Sequence, residues 1–190
     1  QFMSGARRQI FMVFAGFMMV DKFGFSVPDI AALYLVNLGI NMAVAPLLGK
    51  IVHRFGERHA LMFEYLGLFI VFVAYAGVYI FDWSFVVAAT LYVLDHIFFG
   101  LALALKTYFQ KIGDPGDMAP TAAVAFTINH IAAVFLPVML GLLWRTSPEA
   151  VFFLAAGMAA TSFILATMIP RHPEAGNETT FARPVAAPAE

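Results

Sequence analysis

Apolar residues dominate the chain in long runs, and short polar breaks cut those runs at intervals that suit membrane-crossing helices. About 20 apolar residues carry a helix across a hydrocarbon core. By that measure the pattern predicts six spans, roughly residues 9–25, 28–48, 60–80, 84–105, 120–143 and 148–169. Asp21 and Lys22 interrupt the first. Two readings fit them: the outer end of a short span, or a break in a longer helix at DKFGFSVPD, where Gly24 and Pro28 would permit one. Pro28, Pro120 and Pro148 stand in predicted first turns, where a missing N–H removes no helical bond. Asp114-Pro115-Gly116-Asp117 predicts a turn between the fourth and fifth spans. Pro46 and Pro137 predict bends in the second and fifth. Residues 170–190 are polar and rich in Pro and Ala, and are expected to form a disordered tail.

Composition names the solvent. The 190 residues are 62% hydrophobic and 12% charged, against about 45–50% and about 25% in a soluble domain. Too few polar residues remain to coat a water-exposed surface, so an all-α integral membrane protein is expected, with residues 1–169 as its transmembrane bundle. A formal net charge of −1 comes with no dense basic patch, which argues against a nucleic-acid partner. The absence of cysteine excludes disulfides, thiolate metal sites and cysteine nucleophiles.

Basic residues orient the bundle. With the N-terminus inside, the cytoplasmic side carries Arg7, Arg8, Lys50, Arg54, Arg58, Lys106, Lys111, Arg171 and Arg183, and the outer side only Lys22 and Arg145. Nine against two follows the positive-inside rule and predicts both termini in the cytoplasm. Trp83 and Trp144 then fall at outer ends, where an aromatic belt is expected.

Between the second and third spans the chain reads GKIVHRFGERHAL, from Gly49 to Leu61. This resembles the cytoplasmic-loop signature of the major facilitator superfamily, G-x-x-x-D-R-x-G-R-R, at Gly49, Arg54, Gly56 and Arg58. It departs from that pattern at His53, where the family favours aspartate, and at Glu57, where it favours a base. Physically the pattern is a tight turn with basic residues held on the cytoplasmic side, and Glu64 is the expected partner of Arg54 or Arg58. A solvated positive-inside loop accounts for the charge alone, but not for the glycine spacing.

The resemblance implies a six-helix half of a twelve-helix transporter, built as a 3+3 inverted repeat. The degenerate motif and the polar tail favour the C-terminal half. Its implied partners are a missing N-terminal half, or a second copy, together with the bilayer and a small-molecule or ion substrate. The implied location is a bacterial inner membrane.

Depth provides an independent signal, because a polar group in hydrocarbon needs a partner or a water-filled cavity. Tyr34, Asn37 and Asn41 form one stripe on the second span, Tyr92, Asp95 and His96 cluster on the fourth, and Thr127, Asn129 and His130 lie on the fifth. Asn37, Asp95, His96, Asn129 and His130 count to mid-depth. The third and sixth spans are apolar there, apart from hydroxyls such as Thr161 and Ser162. In the facilitator fold the matching helices one, two, four and five line the cavity, while three and six pack outside.

Each polar residue also has a plainer reading. Asn37 and Asn41 could link helices by hydrogen bonds, and His130 could be satisfied by a carbonyl. Asp95 is hardest to explain without a role, since a midplane carboxylate needs a proton or a cation. His96 points about 100° away from it on an ideal helix. Lys106, eleven residues on, is roughly 16 Å from Asp95 along the axis and reads as a snorkelling lysine. No intramembrane arginine is evident, which disfavours a strongly anionic substrate.

Secondary transport by alternating access is therefore the expected function, with Asp95 and His96 able to carry a coupling proton. The alternative is an electron carrier, with His96 and His130 as axial haem ligands. Neither G-x-S-x-G nor H-E-x-x-H is present, and Ser26, Ser84, Ser147 and Ser162 are poorly placed for His130. Enzyme activity, a metal and a cofactor are not expected on the transport reading.

Overall fold

Four helical stretches are long and apolar enough to cross a membrane: Val27–Ile80, Phe85–Ile112, Met118–Trp144 and Pro148–Thr167. They belong to a computed structural model that describes residues 2–181. In chain order the elements are α1 (Phe2–Gln9), a π-helical segment (Ile10–Ala15), α2 (Gly16–Asp21), α3 (Val27–Ile80), α4 (Phe85–Gly100), α5 (Leu103–Ile112), α6 (Met118–Trp144) and α7 (Pro148–Thr167). These are the long apolar helices of a membrane-embedded, all-α protein.

The boundaries differ from the six predicted spans in instructive ways. Residues 2–21 stay helical throughout, but the π segment widens the turn at Ile10–Ala15, a deviation often found at functional sites. The second and third predicted spans share α3, whose backbone leaves the helical region only at Gly56 (φ 79°, ψ 165°). A side chain there would be strained, and glycine avoids the cost. The expected cytoplasmic loop is thus one residue of non-helical backbone.

That residue reverses the chain. Ile30 and Val78 would stand roughly 72 Å apart in a straight helix at 1.5 Å per residue, yet both pack in one apolar cluster with Tyr75 and Phe152. Leu48 and Val52 meet Ala60, Leu61 and Tyr65 in a second cluster near the reversal.

Ser26 starts α3, its backbone N–H donating to Asp29 Oδ2 at 2.9 Å, with Pro28 in the first turn. The fourth predicted span runs from α4 into α5 across Leu101 and Ala102, whose N–H groups donate to Phe98 and Phe99 at 3.0 Å in a tightened turn. Pro46 and Pro137 both lie inside continuous helices.

Packing is uneven. The second half of α3 and α7 form the best-buried part of the bundle. There Gly67 lets α4 approach, since a Cβ at that position would stand 2.3 Å from the Phe98 ring. On α6, by contrast, only Ala132, Leu140 and Trp144 are buried.

Beside the C-terminus of α2, Trp144 gathers Phe14, Phe17, Tyr79 and Phe152 with ring centres 5.4–5.6 Å away. Its Nε1 donates to Asp21 Oδ2 at 3.2 Å. Lys22 pairs with Asp82 at 2.6 Å. Asp21 and Lys22 therefore close the C-terminus of α2 rather than opening a helix break. The pairing with Lys22 holds the exposed Asp82 carboxyl below the ordinary aspartate value.

Of the tail expected to be disordered, residues 170–181 follow α7 without helix; the Thr180 N–H donates to Met168 O at 2.9 Å, and Tyr108 donates to Glu178 O at 2.6 Å. Residues 182–190, including Arg183, lie outside the described residues.

Candidate functional site

Asp95 stands on the buried face of α4 with 0% of its surface exposed. Neither of its carboxylate oxygens has a hydrogen-bond partner, and it forms no ion pair among the described residues. Glu64, in the second half of α3, is in the same condition, also at 0% exposure. The cation whose field reaches both is Arg7 of α1.

Arg7 is itself 1% exposed. Its guanidinium lies 4.4 Å over the Tyr65 ring, and Nε donates to Met3 O at 3.3 Å. Its two terminal nitrogens have no partner. Two carboxyls and one guanidinium thus share the interior of an apolar bundle, close enough to interact and without direct bonds.

The first half of α3 brings amides beside α4. Tyr34 neighbours Tyr92, and Asn41 Oδ1 lies 3.9 Å from where a Cβ of Gly100 would be. Leu48 also approaches Gly100, and the later residues of α3 meet the later residue of α4, so the two helices run parallel. Asn37 is 0% exposed. Its backbone and side-chain oxygens accept from Asn41 Nδ2 at 3.0 and 3.3 Å, leaving its own Nδ2 unpartnered. Tyr92 is buried beside them, whereas Tyr34 is exposed.

His96 turns away from Asp95, as the helical angle predicts. Its ring meets Phe11 edge-on at 4.2 Å, and Nδ1 lies 3.2 Å from Tyr92 O. His130 is exposed on α6, its ring tilted against Phe126 with centres 3.8 Å apart and Nδ1 2.9 Å from Phe126 O. Since α4 and α6 make no more than marginal contact, the geometry lends no support to shared axial ligation by His96 and His130.

Instead, His130 and Asn129 line a cavity of about 580 Å³ enclosed by α1, the α4–α5 turn and α6. Arg8 and Lys106 line it too. Asn129 reaches α1 at Gly5, where a Cβ would stand 2.3 Å from its Oδ1. The polar residues predicted as one set therefore divide in two: Asp95, Asn37 and Tyr92 are buried, with Asn41 half-buried, and Asn129 and His130 line the cavity.

The Gly49–Glu64 segment is also rearranged. Glu64 is buried within the field of Arg7 and pairs with neither Arg54 nor Arg58 among the described residues. The acid at the turn that does pair is Glu57, buried and 2.7 Å from Lys111. His53 and Arg54 are exposed, the latter 5.6 Å over the Phe55 ring, while Gly49 and Arg58 are half-buried.

Arg7 is the residue that sequence reasoning missed, because two adjacent arginines before an apolar run read as a positive-inside anchor. A signal was present. Residues 7, 11, 14 and 18 fall on one helical stripe, and Arg7, Phe11, Phe14 and Met18 are all buried. Comparison with known proteins returns no match, whether to a family model, a curated sequence or a solved structure.

Proposed function

We propose that the protein is a six-helix unit of a secondary transporter, working by alternating access and coupled to protons through Arg7, Glu64 and Asp95. The observation that carries this reading is a buried guanidinium and two buried carboxyls in one apolar bundle, none of them in an ion pair among the described residues. Ionisable groups within membrane-spanning helices are expensive and typically mark ion or proton pathways. One guanidinium balances one carboxylate. The second carboxyl keeps the interior neutral when it holds a proton, and its loss or gain shifts the charge that α1 feels.

The unit is read as six passes with cytoplasmic termini, the two halves of α3 crossing separately on either side of Gly56. Residues 2–21 make the first pass, and the fold is that of a major facilitator half with its 3+3 inverted repeat. Support comes from the loop motif around Gly56 and from the division of polar residues by depth. A second six-helix unit, from the same polypeptide or a second copy, would cover the exposed face of α6 and complete the pathway. A bacterial inner membrane is the setting this reading implies.

The test is solute-driven proton flux in proteoliposomes, followed with an entrapped pH dye. Asp95→Asn is expected to abolish the flux while leaving solute exchange intact. Flux with unchanged pH dependence in that variant would remove the proton role.

A further inference from the structure

We infer that the cavity between α1, the α4–α5 turn and α6 is an anion site, taking a small carboxylate or phosphate. As the substrate class of the pathway it rests on the transport reading; as a binding site it stands on its own geometry.

Two cations, Arg8 and Lys106, line the cavity, and no aspartate or glutamate does. Neither cation forms an ion pair among the described residues. Gln9, Ser4 and Asn129 add amide and hydroxyl groups to the same wall, so the lining combines uncompensated positive charge with hydrogen-bond donors. Guanidinium and ammonium groups recognise carboxylate and phosphate through charge-assisted bonds, and partial exclusion of water strengthens them.

The cation-rich wall also revises the expectation from sequence, which disfavoured an anionic substrate for want of an arginine in the bundle. Two arginines of α1 bear on the bundle: Arg7 is buried in its interior, and Arg8, exposed, lines the cavity. Their adjacency on α1 offers a link between the bound anion and the buried carboxyls, because any shift of α1 moves both arginines together.

The experiment is calorimetric titration of the purified full chain with succinate and, separately, inorganic phosphate. At least one is expected to bind saturably. Arg8→Gln and Lys106→Gln should each weaken that binding about tenfold, as for one lost charge-assisted bond. Arg145→Gln, at the outer end, should leave it unchanged, and matched thermal unfolding would show that the variants fold.

Failure of both anions to bind, or equal binding in the Arg8→Gln/Lys106→Gln protein, overturns the inference. An anionic lipid headgroup shares this chemistry, so the titration is repeated in nanodiscs with and without phosphatidylglycerol. Arg8-dependent retention of that lipid with no binding of either soluble anion would overturn the substrate assignment. Absent proton flux would count against the transport reading alone, since equilibrium binding does not depend on it.

Discussion

Arg7 and Arg8 are neighbours in the chain and belong to different regions of the molecule. Arg7 is buried against the Tyr65 ring, while Arg8 is exposed on the wall of a cavity of about 580 Å³. One residue of offset turns a side chain about 100° around a helix, and here that rotation separates an interior charge from a cavity charge. The same divide runs through the polar residues of α4 and α6. Asp95 has no solvent and no direct partner, whereas His130 has both an open side and its own helix carbonyl. A titratable side chain is therefore costly in one region and cheap in the other.

Removing the two arginines in turn gives the widest expected contrast. Arg7→Met leaves two buried carboxyls without their cation and should destabilise the protein by about 3–5 kcal/mol, read by denaturant unfolding in detergent. Arg8→Met should change stability by no more than about 0.5 kcal/mol. Equal effects would show that Arg7 is not an interior charge. Combining Arg7→Met with Asp95→Leu should recover part of the loss, because the charge left behind is removed as well.

A smaller effect is expected where the interior closes without charge. Gly67→Ala puts a methyl group against the Phe98 ring, and such overpacking costs about 1–3 kcal/mol. The same change at Gly16, whose surroundings are open, should be neutral or slightly stabilising through helix propensity. If both substitutions behaved alike, close approach of α3 and α4 at Gly67 would be wrong.

Asn37→Leu removes the acceptor side chain of Asn41 and should cost about 1 kcal/mol, a change visible as a shift in thermal unfolding. At Thr127, which bonds its own helix at Ala123, substitution by valine should have less effect.

The smallest effect belongs to the outer surface. Lys22 lowers the Asp82 carboxyl in the folded protein, so the pair's contribution is present above the unfolded-state aspartate value, about pH 3.9. It is lost as the pH falls through the lower folded value. The melting-temperature difference between wild type and Asp82→Asn should be flat from neutral pH to about pH 5 and vanish in stronger acid. Added salt should shrink it at any pH.

Sequence reasoning put Asp95 and Asn37 at mid-depth on cavity-lining helices, from depth in an apolar run and helical spacing, which are both local properties; both are fully buried. It placed Tyr92 with them for the same reason. It could not separate His130 from His96, since both sit at mid-depth and only neighbouring helices determine which faces a cavity. It paired Glu64 with the nearest arginines along the chain, whereas the bundle supplies Arg7 from more than fifty residues upstream. The acid beside Gly56 that does pair, Glu57, takes its lysine from α5.

The sequence by itself determined that the protein is helical and membrane-embedded: apolar run length and the scarcity of charge leave no other solvent. It also marked the reversal at Gly56, where only a residue without a side chain accepts the backbone angle at little cost. Only the tertiary structure decided which charges meet. Burial of Arg7 with Glu64 and Asp95 depends on how α1, α3 and α4 are rotated against one another, and that rotation is set by packing between helices rather than by any local pattern.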